Sequence, residues 1–394
     1  MATQIRGTDV EVAVVGRGMI GAAAARHLAD GKTSTVLIGP DEPVDRLASQ
    51  GPFSSHPDQG RITRVAARSP IWAEIALRSI NRYREIEQRS GIDFYNPCGL
   101  AMGGIDAEGW VARGQAQGSD SAMVDHDDLF ERTGIRMPAG LPAMTEGPPA
   151  GYINPRRMVE AQTVAAQRAG ATIIRSAATN IEKTPAGYRL SGEWGTSVAE
   201  KVLLSTGSFG AEFLPDLLDA ERRPRTVVRA EITGGVDTAK IPSLIVDDGL
   251  ADERLVGIYW VPPVMYPDGI MRLKIGGQLK DAPVLEPEDL TDWFHTDGSA
   301  TESEALEATL RELLPDASFA NIISSPCVLM VTPSAHPYVG WVDEDDPTFA
   351  MALAGNGSAA KSSDELGRLG ASLIATGTWN DPVLNATDFT PQYR

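Results

Sequence analysis

The chain has 394 residues, of which 42% are hydrophobic and 22% are charged, and its formal net charge is −18. A chain of this length exceeds the size at which a single hydrophobic core stops growing, so we expect two domains. The acidic balance disfavours nucleic acid and anionic membrane surfaces as partners, because both require a basic binding surface. The chain has only two cysteines, no apolar run long enough to span a bilayer and no apolar secretory segment in residues 1–6, which predicts a cytoplasmic protein.

The first segment predicts a dinucleotide-binding turn. Residues 12–15 are typical of a buried strand, and the alanine-rich residues 22–29 are typical of a helix. Between them, Gly16 permits a tight turn, Gly18 lets the backbone approach a pyrophosphate, and Gly21 lets helix and strand pack closely. Phosphate would then meet the positive end of the helix. The residues predicted to contact the nucleotide here are Gly16, Gly18, Met19, Ile20 and Gly21.

The second predicted strand, residues 35–38, ends without the acidic residue that commonly hydrogen-bonds a ribose hydroxyl. Gly39 stands in that position, and Asp41 and Glu42 lie just beyond it, so this turn leaves nucleotide selectivity open. Residues 39–60 then form a crossing rich in Gly, Pro, Asp and Ser. Structureless segments of this length inside a compact domain usually have a function.

The remaining elements are predicted from periodicity and turn residues. Helices are predicted at residues 71–90, 127–132, 156–168, 302–314 and 363–377, and strands at residues 98–103, 172–174, 202–204, 327–331 and 348–354, with the rest of the span up to residue 149 rich in loops. The strand at residues 202–204 leads into the small-residue turn Thr206-Gly207, a second candidate contact to phosphate. Residues 226–277 contain strands separated by Pro, Gly and Asp turns, which indicates an antiparallel sheet.

This order of elements predicts an α/β plus α+β fold, in which a Rossmann-like nucleotide-binding domain is interrupted by an antiparallel-sheet substrate domain. We assign residues 1–90, 150–220 and 330–394 to the first domain, and residues 91–149 and 221–329 to the second. No metal site is predicted, because neither cysteine nor histidine recurs at the spacing of metal ligands.

Five segments in order along the chain carry a resemblance to a known family. They are the Gly16 turn, the block from Ser55-His56 to Arg61-Ile62-Thr63-Arg64, the segment Leu273-Lys274-Ile275-Gly276, the run from Leu314-Pro315-Asp316 to Cys327, and the ending from Ala354-Gly355 to Lys361-Ser362-Ser363. Together they resemble the monomeric sarcosine oxidase branch of the FAD-dependent amine oxidases, within the D-amino acid oxidase (DAO) family, over nearly the whole chain. The resemblance implies bound FAD whose isoalloxazine ring faces the antiparallel sheet.

The resemblance also implies roles for several cations. Lys274 matches a lysine that activates oxygen, because a fixed cation stabilises the anions that form as dioxygen is reduced. Arg64 and Lys361 stand where the family binds a substrate carboxylate, and Arg61 stands where an arginine lies against the flavin ring. The alternative for each arginine is a surface ion pair, and for Lys274 a solvated strand lysine.

Further site residues follow from the same resemblance. Cys327 matches a cysteine joined covalently to the flavin 8α-methyl carbon, the alternative being an inert buried thiol, and Cys98 is expected to be a core residue. The other implied cofactor contacts are Ser55, His56, Thr206, Gly207, Gly355, Gly357, Ser358 and Lys361, and Gln278 is the implied substrate-side residue. Tyr259 is a candidate, with Trp260 and Tyr266, for an aromatic wall over the substrate, the alternative being a core residue of a strand.

Three departures from the family pattern concern the substrate. Gln278 stands where a histidine is common, Ala67 stands where a tyrosine is often found, and the loop from Gly355 to Lys361 is shorter than its counterpart. The resemblance therefore does not identify sarcosine as the substrate. It implies an oxidase of a small, carboxylate-bearing secondary or N-substituted amine, which gives an imine that hydrolyses and reduces O2 to hydrogen peroxide.

Three alternatives remain open at this stage. The chain could be a flavin-dependent dehydrogenase that uses another electron acceptor, or a nucleotide-binding regulatory protein that lost catalysis. An NAD-dependent dehydrogenase would fit the Gly16 turn but leave Cys327 and Lys274 unexplained.

Overall fold

The computed structural model describes residues 9–55, 58–67 and 69–394. The strands in these ranges are β1 Asp9–Val15, β2 Thr35–Ile38, β3 Arg61–Thr63, β4 Tyr95–Asn96, β5 Leu100–Gly103, β6 Ser121–Met123, β7 Ala143–Glu146, β8 Gly151–Ile153, β9 Thr172–Ile174, β10 Asn180–Thr184, β11 Gly187–Gly192, β12 Gly195–Leu204, β13 Glu221–Gly234, β14 Ser243–Val246, β15 Leu255–Met265, β16 Met271–Leu279, β17 Ser318–Val331, β18 Tyr338–Trp341 and β19 Phe349–Leu353. The helices are α1 Met19–Asp30, α2 Pro70–Ile80, α3 Tyr83–Ser90, α4 Ala107–Ala116, α5 His126–Thr133, α6 Pro155–Arg168, α7 Leu290–Phe294, α8 Ala300–Leu313 and α9 Ala359–Thr376.

The first sheet has a parallel centre, in which β1 lies between β2 and β12, β9 pairs with β2, and β19 pairs with β12. The hairpin of β10 and β11 and the strand β18 extend it with antiparallel pairs. Because β1, β12 and β19 run in the same direction, the turns that follow them meet at one edge. Ligands of open α/β sheets bind at this carboxyl edge.

Helices α1 and α9 pack together over this sheet. The side chains of residues 22–25 in α1 are small and fully buried, and a side chain at Gly367 of α9 would approach the backbone nitrogen of Ala24 to 2.6 Å. Small residues on both helices thus let the two backbones approach closely, which holds the start of α9 beside the Gly16 turn.

The second sheet runs in the order β17-β13-β16-β15-β14-β5-β7-β6 and is antiparallel except for the β14–β5 pair. Side chains alternate between its two faces. Leu273 and Ile275 of β16 pack on the outer face in a core that includes Leu306 and Leu310 of α8. Lys274 and Gln278 therefore project from the opposite face, toward the first sheet. A small third sheet has the order β3-β8-β4. Its strand β3 ends at Thr63, so Arg64 lies just after this strand, near the inner face of the second sheet.

The predicted fold class is confirmed, with two corrections to the helices. The helix expected at residues 71–90 is two helices, because the backbone tightens at Arg82, whose N–H bonds to the carbonyl of Ser79. The span from residue 104 to 149 contains α4 besides the expected α5. Gly109 and Gly114 weaken the helix pattern of α4, and side chains there would clash with Asp106 and Ser121.

A third correction concerns Cys98, which is exposed rather than in the core. It lies in the short connection between β4 and β5, so its side chain is not part of a buried strand face.

The two-domain division remains a proposal, and sheet membership supports it. All strands of the first sheet fall within residues 1–90, 150–220 and 330–394, and those of the second fall within residues 91–149 and 221–329 except for the last two residues of β17. Among the helices of the described ranges, none combines the length and apolarity needed to cross a membrane. The cytoplasmic location stays a prediction.

Candidate active site

A cavity of about 1230 Å³ lies between the carboxyl edge of the first sheet and the inner face of the second. Residues from the Gly16 turn, the crossing after β2, the start of β3, the turn after β12, strands β14 to β17 and the start of α9 line it. The volume exceeds that of sites for small ligands alone. It is adequate for a dinucleotide with a substrate beside it.

The glycine turn has the geometry that its sequence predicts. Gly16 has a φ of +106°, and a side chain there would approach the carbonyl oxygen of Ser205 to 2.3 Å. A side chain at Gly21 would lie 1.9 Å from the Gly16 carbonyl, whereas one at Gly18 would meet nothing within 4 Å. Gly16 and Gly21 thus serve close packing, and Gly18 leaves space at the start of α1. Gly16, Gly18, Met19 and Ile20 line the cavity, but Gly21 lies behind it.

The end of β2 explains why no acidic residue stands at position 39. A side chain at Gly39 would lie 2.4 Å from the backbone nitrogen of Arg17. The Arg17 side chain crosses this point, donates to the Gly39 carbonyl at 3.1 Å and pairs with Asp41. Glu42, also in the cavity wall, accepts hydrogen bonds from Ser54 N and Arg156.

Several polar atoms in the cavity wall fit a polar cofactor. The hydroxyls of Ser205, Thr206 and Ser208 and the Nε of Arg61 are buried without a hydrogen-bond partner. Buried polar groups are almost always hydrogen-bonded, so these groups indicate a bound molecule with acceptors and donors along the cavity. Gly207, with a φ of +65°, belongs to the same turn.

Two other predicted segments join this wall. Ser55 lines the cavity, and His56 lies outside the described residues. Gly355, Gly357 and Ser358 also line it, in a turn just before α9. Gly357 has a φ of +69°, a left-handed conformation that glycine adopts readily because it has no Cβ atom.

A buried cluster of charged residues lies on the second sheet's side of the cavity. The Nζ of Lys274 lies 3.0 Å from Oδ2 of Asp58, 2.5 Å from the Gly60 carbonyl oxygen and 5.0 Å from the centre of the Tyr259 ring. Nη2 of Arg61 lies 2.9 Å from the same Asp58 oxygen, and Nη1 donates to the Tyr259 hydroxyl at 3.2 Å. Arg61 and Tyr259 line the cavity, whereas Lys274 is fully buried behind them.

Burial sets the ionisation of this cluster. Exclusion of water, and after it the Arg61 cation, lower the pKa of Lys274 to about 7 in spite of Asp58, which raises it. Burial also raises the pKa of Tyr259, which therefore stays a neutral phenol that can donate a hydrogen bond.

Sequence reasoning missed Asp58. It is the only acidic residue between Ser54 and Arg64, and it is 1% exposed. Its position in a segment with two arginines was the available signal, because a buried acid requires a cationic partner.

A second group of cations lies where the loop after β3 meets the start of α9. Arg64 and Lys361 both line the cavity, and Lys361 is 5% exposed with its Nζ 5.4 Å from the centre of the Trp72 ring. Burial and the nearby Arg64 cation lower the pKa of Lys361 well below its ordinary value. Glu146 accepts hydrogen bonds from the backbone of Val65 and Ala66 and so holds this loop.

Gln278 lines the cavity, but Cys327 does not. Cys327 is 1% exposed in β17, and burial raises the pKa of its thiol to about 12. Its carbonyl accepts a hydrogen bond from Trp293, and Val328 N donates to the Ser55 carbonyl, which connects the strand to the loop that lines the cavity. The thiol is close enough to Arg61, Asp58 and Lys274 for their charges to influence its ionisation.

The chain is similar to characterised oxidases over most of its length. It is 24% identical over 387 residues to a monomeric sarcosine oxidase of Streptomyces avermitilis, covering 95% of each chain. Its structure is similar to that of NikD, an unusual amino acid oxidase essential for nikkomycin biosynthesis, with a TM-score of 0.77, 19% identity and 98% of each chain covered. It is also similar to iminodiacetate oxidase from Chelativorans sp. BNC1, with a TM-score of 0.69, 15% identity and coverage of 97% and 99%.

The sequence pattern of the DAO family, described as FAD dependent oxidoreductase, matches residues 11–373. The glycine turn, the unsatisfied buried hydroxyls and the size of the cavity fit FAD. The family match confirms the predicted FAD cofactor and the enzyme class of a flavin-dependent oxidoreductase. The roles of individual residues and the covalent bond to Cys327 stay predictions. The chain belongs to the DAO family of FAD-dependent oxidoreductases.

Proposed function

We propose that this protein is an oxidase of a small secondary or N-substituted amino acid, with O2 as the electron acceptor and hydrogen peroxide as a product. The observation that carries the proposal is the separation of two cation groups around one cavity. Arg64 and Lys361 face it where the loop after β3 meets α9, and Arg61 at the start of β3 faces it with Lys274 of the second sheet behind. Bound FAD would supply the acceptor for two electrons from the amine and their transfer to oxygen.

The first cation group has the chemistry to hold a substrate carboxylate. The guanidinium of Arg64 offers a planar fork, and Lys361 adds a positive charge from another element. Because the pKa of Lys361 is lowered in the free protein, an arriving carboxylate would favour its protonated form. Holding the acid group at this end would orient the C–H bond next to the amine, and orientation supplies much of an enzyme's rate.

The second cation group has the chemistry to stabilise anions derived from oxygen. Lys274 is fixed by Asp58, Gly60 and the Tyr259 ring, so its charge does not need to reorganise when negative charge develops nearby. Similarity to the sarcosine and iminodiacetate oxidases supports a secondary amine as the substrate. Gln278 and Tyr259 would contact the amine side of the substrate.

We also propose that FAD is joined covalently to Cys327. Burial raises the pKa of the Cys327 thiol to about 12, and the Arg61 and Lys274 cations oppose this rise, which favours the thiolate that such a bond requires. Denaturation of the purified protein in acid tests this proposal, because covalent flavin precipitates with the polypeptide. Cys327→Ser should release the flavin and Cys98→Ser should not; release from the unmodified protein would contradict the proposal.

A peroxide-coupled screen of the purified protein tests the reaction. N-methyl amino acids, N-carboxymethyl amines and cyclic imino acids are compared with matched amines that lack the carboxylate. We expect peroxide only from compounds with the acid group. Reduction of an artificial dye without peroxide would favour the dehydrogenase, and a protein without a reducible yellow flavin would favour the inactive regulatory protein.

A further inference from the structure

The proposed reaction does not use Arg225, whose buried guanidinium lies in the wall of the cavity. It is 4% exposed and lines the cavity beside the second sheet. Its Nη1 donates to the Pro224 carbonyl at 2.7 Å, and no carboxylate of the described ranges lies at ion-pair distance from it. A buried cation without an anion is unfavourable, so such a residue indicates an anionic ligand.

Glu302, the acidic residue whose charge acts on Arg225, does not fill this need. Glu302 accepts a hydrogen bond from the backbone N–H of Thr226 at 2.7 Å. Thr226 and Arg225 are adjacent in β13, so their side chains project from opposite faces of the sheet. Glu302 belongs to α8 on the outer face, and burial lowers the pKa of Arg225 in spite of the charge on Glu302.

Gln278 provides a hydrogen-bonding partner next to Arg225. Val227 of β13 pairs with Gly276 of β16 in an antiparallel register. Arg225 lies two residues before Val227, and Gln278 lies two residues after Gly276, so the antiparallel register places them opposite each other. Their side chains therefore project from the same face of the sheet. Both line the cavity. A guanidinium fork beside a carboxamide is suited to bind a carboxylate through several hydrogen bonds.

Each of the other cations that line the cavity has an anionic partner in the protein or in the proposed substrate. Arg61 and Lys274 share the carboxylate of Asp58, and the first carboxylate of the substrate is assigned to Arg64 and Lys361. Arg225 is left without an anion in this account. A second acid group on the same substrate would compensate it.

We propose that Arg225, assisted by Gln278, is a second anion-binding subsite, and that the substrate is a secondary amine with a carboxylate on each side of the nitrogen. The proposal rests on the proposed function, because Arg64 and Lys361 hold the first carboxylate. It makes Arg225 a residue that determines which amine substituent is accepted.

The test measures binding rather than turnover. Thiodiacetate and (propylthio)acetate have similar size and a sulfur in place of the amine nitrogen, but only the first has two carboxylates. Isothermal titration calorimetry on the flavin-loaded protein at neutral pH should give at least about tenfold tighter binding of thiodiacetate, as expected for a charge-assisted hydrogen-bonded pair. Arg225→Met should bring the ratio of the two affinities close to one.

Two further variants keep the result interpretable. Arg225→Lys keeps the buried charge but loses the fork, so it should reduce the ratio by about threefold or more. Arg223→Met is the matched control, because Arg223 lies in the same strand and pairs with Glu221 near the surface, and it should leave the ratio unchanged.

Equal affinities in the unmodified protein would overturn the proposal. Equal weakening of both compounds by Arg225→Met would show a structural role and would also overturn it. A peroxide screen without an oxidised amine, combined with Arg225-dependent binding of thiodiacetate, would reject the oxidase reaction but retain the subsite. Oxidation of amines without any Arg225-dependent preference for thiodiacetate would retain the oxidase reaction but reject the subsite.

Discussion

The Asp58 carboxylate and the Lys274 ammonium lie 3.0 Å apart although 216 positions separate them in the chain. The same carboxylate oxygen is 2.9 Å from Nη2 of Arg61, so one buried acid holds two cations beside the cavity. Without it, two like charges would share a site from which water is excluded. The arrangement connects the loop before β3 to the second sheet and fixes the charge that the proposed oxygen reaction requires.

Substitution of Lys274 should separate the two halves of the catalytic cycle. Lys274→Met should slow flavin reoxidation by about 100-fold or more, because a preorganised charge typically contributes this much, and it should affect flavin reduction far less. Stopped-flow measurement of each half-reaction checks this. Lys280→Met, at an exposed position just after β16, is the control. Equal loss in both half-reactions would contradict the assigned role.

The rate of the oxygen reaction should fall as the pH rises through about 7, because burial lowers the pKa of Lys274 to about 7 and its charged form is lost above that value. Asp58, Arg61, Tyr259 and Cys327 surround this ammonium, and Asp58 is the group that raises its pKa. Asp58→Asn should therefore move the midpoint of the pH profile to lower pH, by about 1 unit or more.

The reoxidation rate constant of each protein, measured across the pH range, gives this midpoint. A variant that merely misfolds would lose amplitude without moving the midpoint. An unchanged midpoint in correctly folded Asp58→Asn would show that Asp58 does not control the charge on Lys274.

Arg64 and Lys361 should act on substrate binding more than on the chemical step. Arg64→Met or Lys361→Met should raise KM for a carboxylate-bearing amine by about 10- to 100-fold, the cost of a lost hydrogen bond to a charged group. Arg64→Lys should not restore the parent KM, because it lacks the planar fork. Steady-state kinetics with and without the substrate carboxylate distinguish the roles, and similar losses on both substrates would argue against carboxylate binding.

A buried ion network should determine much of the stability of α9. Asp364 is fully buried, 2.6 Å from Nη2 of Arg26, and it also pairs with Arg82. Asp364→Asn leaves these cations without their acid and should lower the free energy of unfolding by about 3–5 kcal/mol. Urea denaturation measures this change. The control Asp128→Asn removes an exposed pair with Arg132 and should cost less than about 1 kcal/mol.

The same network predicts a direction for the pH dependence of stability. Burial alone would raise the pKa of Asp364, but the hydrogen bond from His27 and the Arg26 and Arg82 cations lower it well below its ordinary value. Its contribution is therefore present above the pKa of an unfolded aspartate and is lost as the pH falls through the folded value. As the pH falls below about 4, urea denaturation should therefore show a smaller loss of stability for Asp364→Asn than for the parent protein.

Local sequence patterns were sufficient for the elements with strong periodicity and clear ends. The strand Thr35–Ile38 and the strand Thr172–Ile174 have the predicted bounds, and the helix predicted at residues 363–377 ends at Gly377 in the left-handed conformation. Helix α4 was missed because its two glycines weaken the local signal, and the close approach of Ala66 to Gly114 comes from a distant part of the chain.

The sequence alone determined the glycine turn, the antiparallel block and the residue types needed for flavin chemistry, because turns, strands and helix ends depend on neighbouring residues. Only the tertiary structure decided that Asp58 joins Arg61 and Lys274, that Arg17 fills the space at Gly39, and that Arg225 faces the cavity without an acid. These relationships depend on the register of β13 and β16 and on the approach of the two sheets, which no local pattern specifies.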